Sequence, residues 1–137
     1  MESRIQKTLE NHAKGYNCAQ AVACAYCDLV GVDEATMFKA AEAFGAGMGG
    51  MATTCGAVSG AVLLAGFKNS DGALEAPKTK GGSYKLSKRI VEEFAKKNTT
   101  VICKELKGVE TGVKLRSCDG CIEDAAAIAE TLLFAEE

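Results

Sequence analysis

The sequence has few of the features that mark membrane-bound or secreted proteins. Its longest mainly apolar stretch, residues 57–67, is far shorter than the roughly 20 residues that a membrane-spanning helix needs. No apolar segment follows the first charged residues as it would in a signal peptide, which predicts a cytoplasmic protein. The formal net charge of −2 gives no reason to expect nucleic acid or an anionic membrane as a partner.

Histidine and proline are also scarce. His12 is the only histidine and is expected in solvent, and nothing places it beside a thiol as a cysteine protease requires. No CxxCH motif occurs, which excludes covalent c-type haem by that route. The one proline, Pro77, lies in a polar segment, 68–82, that is expected to be an exposed loop. Solvent-exposed faces are likewise expected for the carboxylates Glu92, Glu93, Glu123 and Asp124.

Strand patterns are lacking as well, because no run alternates apolar and polar residues between turn signals. Apolar residues instead recur at helical spacing between capping residues and glycines. The pattern predicts an all-α protein, a compact single-domain helical bundle of about six helices spanning residues 1–137. The segments with this pattern are 5–13, 18–30, 33–44, 55–65, 84–97, 101–107 and 118–134.

Cysteine, by contrast, is plentiful, with seven residues. An odd number in a chain without a secretion signal argues against a disulfide framework and favours metal binding or catalysis. Four cysteines stand at or near a predicted helix start: Cys18 after Asn17, Cys55 after Thr54, Cys103 after Thr100, and Cys118 after Ser117. The unpaired N–H groups and positive dipole end at a helix start favour the thiolate, which is the nucleophile and the metal ligand.

Cys118 and Cys121 form a CxxC motif at the start of the last predicted helix. In such a motif the first thiol ionises easily and the second can resolve a mixed disulfide. The same spacing supplies two neighbouring ligands for zinc or iron. Cys24 and Cys27 differ, because they lie within a helix on roughly the opposite side from Cys18 and are expected to pack in the core.

A glycine-rich segment, 45–50, precedes the Cys55 helix. It contains GxGxxG, but the strand that precedes a dinucleotide-binding fingerprint is missing. Glycine lets a backbone pass close to a bound cluster or substrate and direct N–H groups at it. The predicted cofactor-contacting residues are therefore Gly47, Gly49, Gly50 and Gly56, and the alternative is a flexible connector. Gly56 and Gly60 also give their helix a smooth face that another helix can approach closely.

Taken in order, these motifs resemble a known family. The residues that carry the resemblance are GYNCAQAV at 15–22, FGAGMGG at 44–50, TCGAVSGA at 54–61, VICKELKG at 101–108, and Cys118. The pattern resembles the C_GCAxxG_C_C family, redox-active proteins named for their spaced cysteines. The resemblance covers nearly the whole chain and implies that the signature thiols are Cys18, Cys55, Cys103 and Cys118. Cys121, Cys24 and Cys27 lie outside that signature.

Three functions remain open at this point. In the first, signature cysteines Cys18, Cys55, Cys103 and Cys118 bind an iron–sulfur cluster for electron transfer. In the second, Cys118 or Cys18 attacks a disulfide and Cys121 or Cys55 resolves it, as in an oxidoreductase. In the third, the chain is a structural zinc-binding or interaction module, with zinc or no cofactor at all. An unidentified redox partner is expected for the first two, and the smooth helix faces favour a homodimer.

Overall fold

The computed structural model describes residues 1–135. Within this range the chain forms seven α-helices and no β-strand, as predicted. The helices are α1 Ile5–Ala13, α2 Cys18–Ala25, α3 Glu34–Glu42, α4 Gly56–Asn69, α5 Lys80–Asn98, α6 Cys103–Lys107 and α7 Cys118–Ala129. A 3₁₀ turn, Cys27–Val30, follows α2, and a π-helical turn, Glu130–Phe134, extends α7. No helix in this part of the chain is long and apolar enough to cross a membrane.

Three of the predicted helix starts are capped by the residues that the sequence indicates. The Asn17 side chain accepts a hydrogen bond from the Gln20 N–H, and the Gln20 side chain accepts one from the Asn17 N–H. Asp33 caps α3 by accepting from the Thr36 N–H, and the Ser117 hydroxyl caps α7 by accepting from Gly120. These caps satisfy backbone donors that would otherwise be unpaired, so the three predictions are confirmed.

Other helix boundaries differ from the prediction. Cys55 occupies the N-cap position of α4 and Gly56 is the first helical residue. The fifth helix starts at Lys80, so the exposed connection is shorter than predicted and spans residues 70–79. Contacts with α4 explain the early start, since the Asn69 amide donates to the Thr79 carbonyl and to the Ser83 hydroxyl.

The centre of the fold is the contact between α2 and α4. Every residue of 19–25 is buried, and α4 also packs against α5 and α7. A Cβ atom at Gly60 would lie 2.7 Å from the carbonyl oxygen of Ala19, so only glycine permits this approach. The predicted smooth face of α4 is confirmed. Cys24 and Cys27 lie in the same core, also as predicted.

The glycine-rich connection forms one turn of left-handed helix, Gly45–Met48. Its residues Ala46, Gly47 and Met48 have φ angles of 52°, 56° and 66°. The Gly49 N–H closes the turn by donating to the Gly45 carbonyl at 2.9 Å. This conformation costs a non-glycine residue about 1–2 kcal/mol. Strain of this kind persists only where the surrounding structure holds it in place.

Of the polar side chains expected in solvent, Asp124 is buried, whereas His12 stays partly exposed and makes an ion-pair contact. Asp124 is 3% exposed and binds Arg116, Asn98 and Lys97. The prediction of an exposed Asp124 is therefore wrong, because the basic and amide partners come from the previous helix and loop. His12 pairs with Asp119 across α1 and α7 at 2.7 Å.

Candidate functional site

The starts of α2, α4, α6 and α7 meet at one end of the molecule. A short antiparallel bridge joins the segments before α4 and α6: the Cys55 N–H donates to the Val101 carbonyl, and the Cys103 N–H donates to the Thr53 carbonyl. A Cβ atom at Gly56 would lie 3.3 Å from Cβ of Cys18, so the start of α2 lies directly against the start of α4. These backbone contacts bring Cys18, Cys55 and Cys103 into one neighbourhood.

The short helix α6 brings the start of α7 to the same place. The Leu106 carbonyl accepts hydrogen bonds from the Leu115 and Arg116 N–H groups, which anchors the segment before α7 to the end of α6. Lys107, the last residue of α6, consequently places its ammonium nitrogen in direct contact with the Cys118 sulfur. Cys118 is half-buried at the edge of the site.

Cys55 and Cys121 lie in the same buried core, and each affects the pKa of the other. The hydrogen bond from the Cys121 thiol lowers the pKa of Cys55 to about 7, against the opposing effect of burial. The N–H groups of Ala57 and Val58 and the charge of Lys107 lower it further. The same hydrogen bond, together with burial, raises the pKa of Cys121. Cys55 therefore ionises more readily than an ordinary thiol, whereas Cys121 keeps its proton.

Cys18 and Cys103 behave differently, although both stand at helix starts. Burial, together with the charge of a nearby Cys55 thiolate, raises the pKa of Cys18 to about 11. Burial is also the main reason that the pKa of Cys103 is raised. The expectation that a helix start makes these two thiols ionise easily is wrong, because the loss of solvent outweighs the favourable N–H groups.

Lys107 is the functional residue that sequence reasoning missed. Its charge acts on four thiols, Cys18, Cys55, Cys103 and Cys121, and its nitrogen contacts Cys118 as well. A positive charge among thiols favours the thiolate form. The sequence holds one signal that points to this residue: Lys107 follows Cys103 by four positions, the spacing that puts two residues on one helix face.

The four glycines predicted to contact a cofactor fall into two groups. Gly47 and Gly56 are buried against cysteines: a Cβ atom at Gly47 would lie 2.5 Å from Cβ of Cys103. Gly49 and Gly50 are exposed, with no atoms within 4 Å of an added Cβ. The first pair thus allows the close packing of the thiol site, and a role for any of the four in cofactor binding stays a prediction.

A metal centre requires several donor side chains close enough to bind one ion. Among residues 1–135, no three cysteine, histidine, aspartate or glutamate side chains are grouped so that they could hold one metal ion. A structural zinc site needs four such ligands around one ion. The described geometry therefore does not fit a metal ion, and the metal-ligand roles of Cys18, Cys55, Cys103 and Cys118 stay predictions.

Comparisons with known proteins agree with the pattern of cysteines. A family model described as "Putative redox-active protein (C_GCAxxG_C_C)" matches residues 16–132. This range includes all seven cysteines and Lys107. No curated protein and no solved structure matches the chain significantly.

Proposed function

The chain belongs to the C_GCAxxG_C_C family of redox-active proteins, and from that premise we propose that it is a thiol–disulfide redox protein whose working pair is Cys55 and Cys121. One observation supports this pair above the others. The Cys121 thiol lowers the pKa of Cys55, while the same interaction and burial raise the pKa of Cys121. A thiolate beside a thiol is the arrangement that disulfide exchange requires.

In the first step the Cys55 thiolate attacks one sulfur of a disulfide substrate. A bond forms between Cys55 and that sulfur, the substrate S–S bond breaks, and the other half leaves as a thiolate that takes a proton from solvent. The N–H groups at the start of α4 and the ammonium of Lys107 hold Cys55 in its reactive form before the attack.

In the second step Cys121 resolves the mixed disulfide. Once Cys55 is no longer an anion, the interaction that raises the pKa of Cys121 disappears, so Cys121 loses its proton more readily. Its sulfur attacks Cys55 and releases the second half of the substrate as a thiol. In total two protein thiols are oxidised to one disulfide, and one substrate disulfide is reduced to two thiols.

Burial limits the substrates that can reach this pair. Cys55 is 3% exposed and Cys121 is fully buried, whereas Cys18 and Cys118 are half-buried. A small disulfide can pass between the helix starts more easily than a loop of a partner protein. A low-molecular-weight disulfide is therefore the proposed oxidant.

Peptide mapping after mild oxidation tests the proposal. The reduced protein is treated with a small disulfide, the remaining thiols are blocked, and linked peptides are identified by mass spectrometry. We expect a link between Cys55 and Cys121. The variant Cys121→Ser should instead accumulate a mixed disulfide on Cys55.

Cys27→Ser is the matched control, because Cys27 is a buried thiol whose charged neighbours are Glu34 and Asp28, and its loss should leave the link unchanged. If the wild-type protein forms links only among other cysteines, or if Cys121→Ser loses two thiols on oxidation as the wild type does, the proposed pair is wrong.

The iron–sulfur and zinc alternatives rest on the four signature cysteines of the sequence. Among residues 1–135, these side chains are not grouped as ligands of a single metal ion. Anaerobic purification followed by visible absorbance and an iron and sulfide assay tests the cluster. Unfolding on chelation with insensitivity to oxidants would identify structural zinc instead.

A further inference from the structure

An apolar cavity of about 920 Å³ lies between α4 and α5. Its walls include Val62, Leu63 and Phe67 of α4, Val91 of α5, and Phe44 and Met48 from either end of the left-handed turn. Pockets that enclose small organic ligands have about this volume and the same predominance of apolar walls. The cavity belongs to a different part of the fold from the Cys55–Cys121 contact, since none of the cysteines lines it.

One hydroxyl group on the wall of this cavity has no hydrogen-bond partner among residues 1–135. Ser59 lies one turn after Cys55 on α4, is 8% exposed and lines the cavity. No hydrogen bond within residues 1–135 involves its hydroxyl. A hydroxyl that faces a cavity and has no protein partner can hydrogen-bond to water or to a ligand.

The charge of the lining restricts the ligand further. Of the described residues that line the cavity, Asp71 is the only charged one, and it lies on an exposed rim where it pairs with Lys78 at 3.8 Å. Among residues 1–135, no cationic side chain lines the cavity where it could bind a carboxylate or phosphate. A charged ligand would lose its hydration without compensation.

We propose that this cavity binds an uncharged, largely apolar small molecule whose single hydroxyl or carbonyl oxygen hydrogen-bonds to Ser59. The apolar body would lie against Val62, Leu63 and Phe67. Binding at this site does not depend on the chemistry of the thiols, so the proposal stands apart from the disulfide exchange described above.

A second copy of the chain is a poorer occupant. Of the apolar side chains that line the cavity, Met48 and Phe67 are the prominent exposed ones, at 47% and 41%. A stable dimer buries about 800 Å² on each partner. Two partly exposed side chains around a concave opening supply far less contact area than such a dimer buries.

Fluorescence titration with the uncharged probe N-phenyl-1-naphthylamine, with 1-decanol as competitor, tests the site. Gly66 lines the cavity, and a Cβ there meets no atom within 4 Å, so Gly66→Leu should fill the cavity without disturbing α4. We expect this variant to lose at least about tenfold in probe affinity. The matched control is Gly81→Leu, a helical position that is equally open but does not line the cavity.

Ser59→Ala tests the hydrogen bond of the Ser59 hydroxyl separately from the apolar contacts of the cavity walls. It should weaken competition by 1-decanol about fivefold, the effect of one hydrogen bond, while probe affinity stays within about twofold. Circular dichroism confirms that each variant is folded.

The proposal is overturned if the wild type does not bind the probe, if Gly66→Leu binds it equally well, or if sedimentation shows a dimer that Gly66→Leu dissociates. The thiol links measured in the oxidation experiment should be the same in both variants.

Discussion

Cys18, Cys55 and Cys103 occupy similar places at helix starts, yet only Cys55 has a lowered pKa. All three are affected by burial, which raises the pKa of a thiol. Cys55 is the one of the three whose pKa is lowered by a second thiol, Cys121, and by the N–H groups of Ala57 and Val58. The difference shows that a helix start is not sufficient to activate a cysteine, because the partners around the sulfur decide the sign of the shift.

The pH dependence of alkylation at Cys55 follows from its pKa of about 7. The thiolate is the reactive form, so the rate should rise with pH through a midpoint near 7 and level off above it. Lys107→Met removes a positive charge and should move this midpoint upward, slowing the reaction at pH 7 by about two- to fivefold. The rate is measured by mass spectrometry of the peptide that contains Cys55.

Lys104→Met is the matched control for that experiment, because Lys104 lies on the same helix but pairs with Glu110. It should leave the midpoint unchanged. An unchanged midpoint in Lys107→Met would show that this lysine does not stabilise the Cys55 thiolate.

At the scale of elements, two glycine-dependent features position the thiol site. Gly60 allows α4 to approach α2, and the left-handed turn places Gly47 against Cys103. The first feature is ordinary helix packing by a small residue, which the sequence pattern predicts. The second requires three successive positive φ angles, a conformation that a glycine-rich sequence permits but does not specify.

Gly60→Ala should destabilise the protein. Its new methyl group would meet the Ala19 carbonyl oxygen at 2.7 Å, so α2 and α4 must move apart. The expected loss is about 1–3 kcal/mol of unfolding free energy, measured by urea denaturation. Gly66→Ala, on the same helix but in open space, should be neutral or stabilising by up to about 1 kcal/mol. Equal stability of the two variants would contradict the close approach.

Ala46→Gly should stabilise the left-handed turn. Ala46 is exposed and has φ 52° and ψ 44°, a conformation that glycine adopts with much less strain. The expected gain is up to about 1 kcal/mol in the same denaturation measurement. Ala43→Gly is the control, since Ala43 has ordinary helical angles and gains nothing from glycine. A loss of stability in Ala46→Gly would mean that the turn is not left-handed in solution.

At the scale of the whole molecule, a buried carboxylate joins parts of the fold that lie far apart in the sequence. Asp124 on α7 accepts hydrogen bonds from Asn98 at the end of α5 and from Arg116 before α7, each at 3.0 Å. Lys97 adds an ion pair from α5. Burial alone would raise the pKa of Asp124, but these partners together lower it.

Asp124→Asn should therefore destabilise the protein at neutral pH, by about 1–3 kcal/mol. The folded state lowers the pKa of Asp124, so the contribution of Asp124 to the free energy of unfolding is complete above about pH 4, near the pKa of an unfolded aspartate. That contribution is lost as the pH falls through the pKa of Asp124 in the folded protein. The difference between variant and wild type should consequently shrink in acid. Urea denaturation at several pH values measures this.

Glu92→Gln serves as the control, because Glu92 is exposed on α5 and should have little effect at any pH. A difference between Asp124→Asn and wild type that stays constant into acid would show that the charge of Asp124 is not what stabilises the fold.

Local chemistry determined the helices of this protein and the placement of cysteines at their starts. Asn17, Asp33 and Ser117 cap their helices within a few residues, and apolar spacing marks the buried faces, so both can be predicted from short stretches of sequence. Family membership also follows from the order of the motifs.

Tertiary structure decided which thiols become neighbours and how each one ionises. Cys121, outside the family signature, meets Cys55, and Lys107 enters the cluster from the end of a five-residue helix. Loss of solvent and contact between groups distant in the chain set these pKa values, and both depend on how the helices pack. No local pattern in the sequence contains that information.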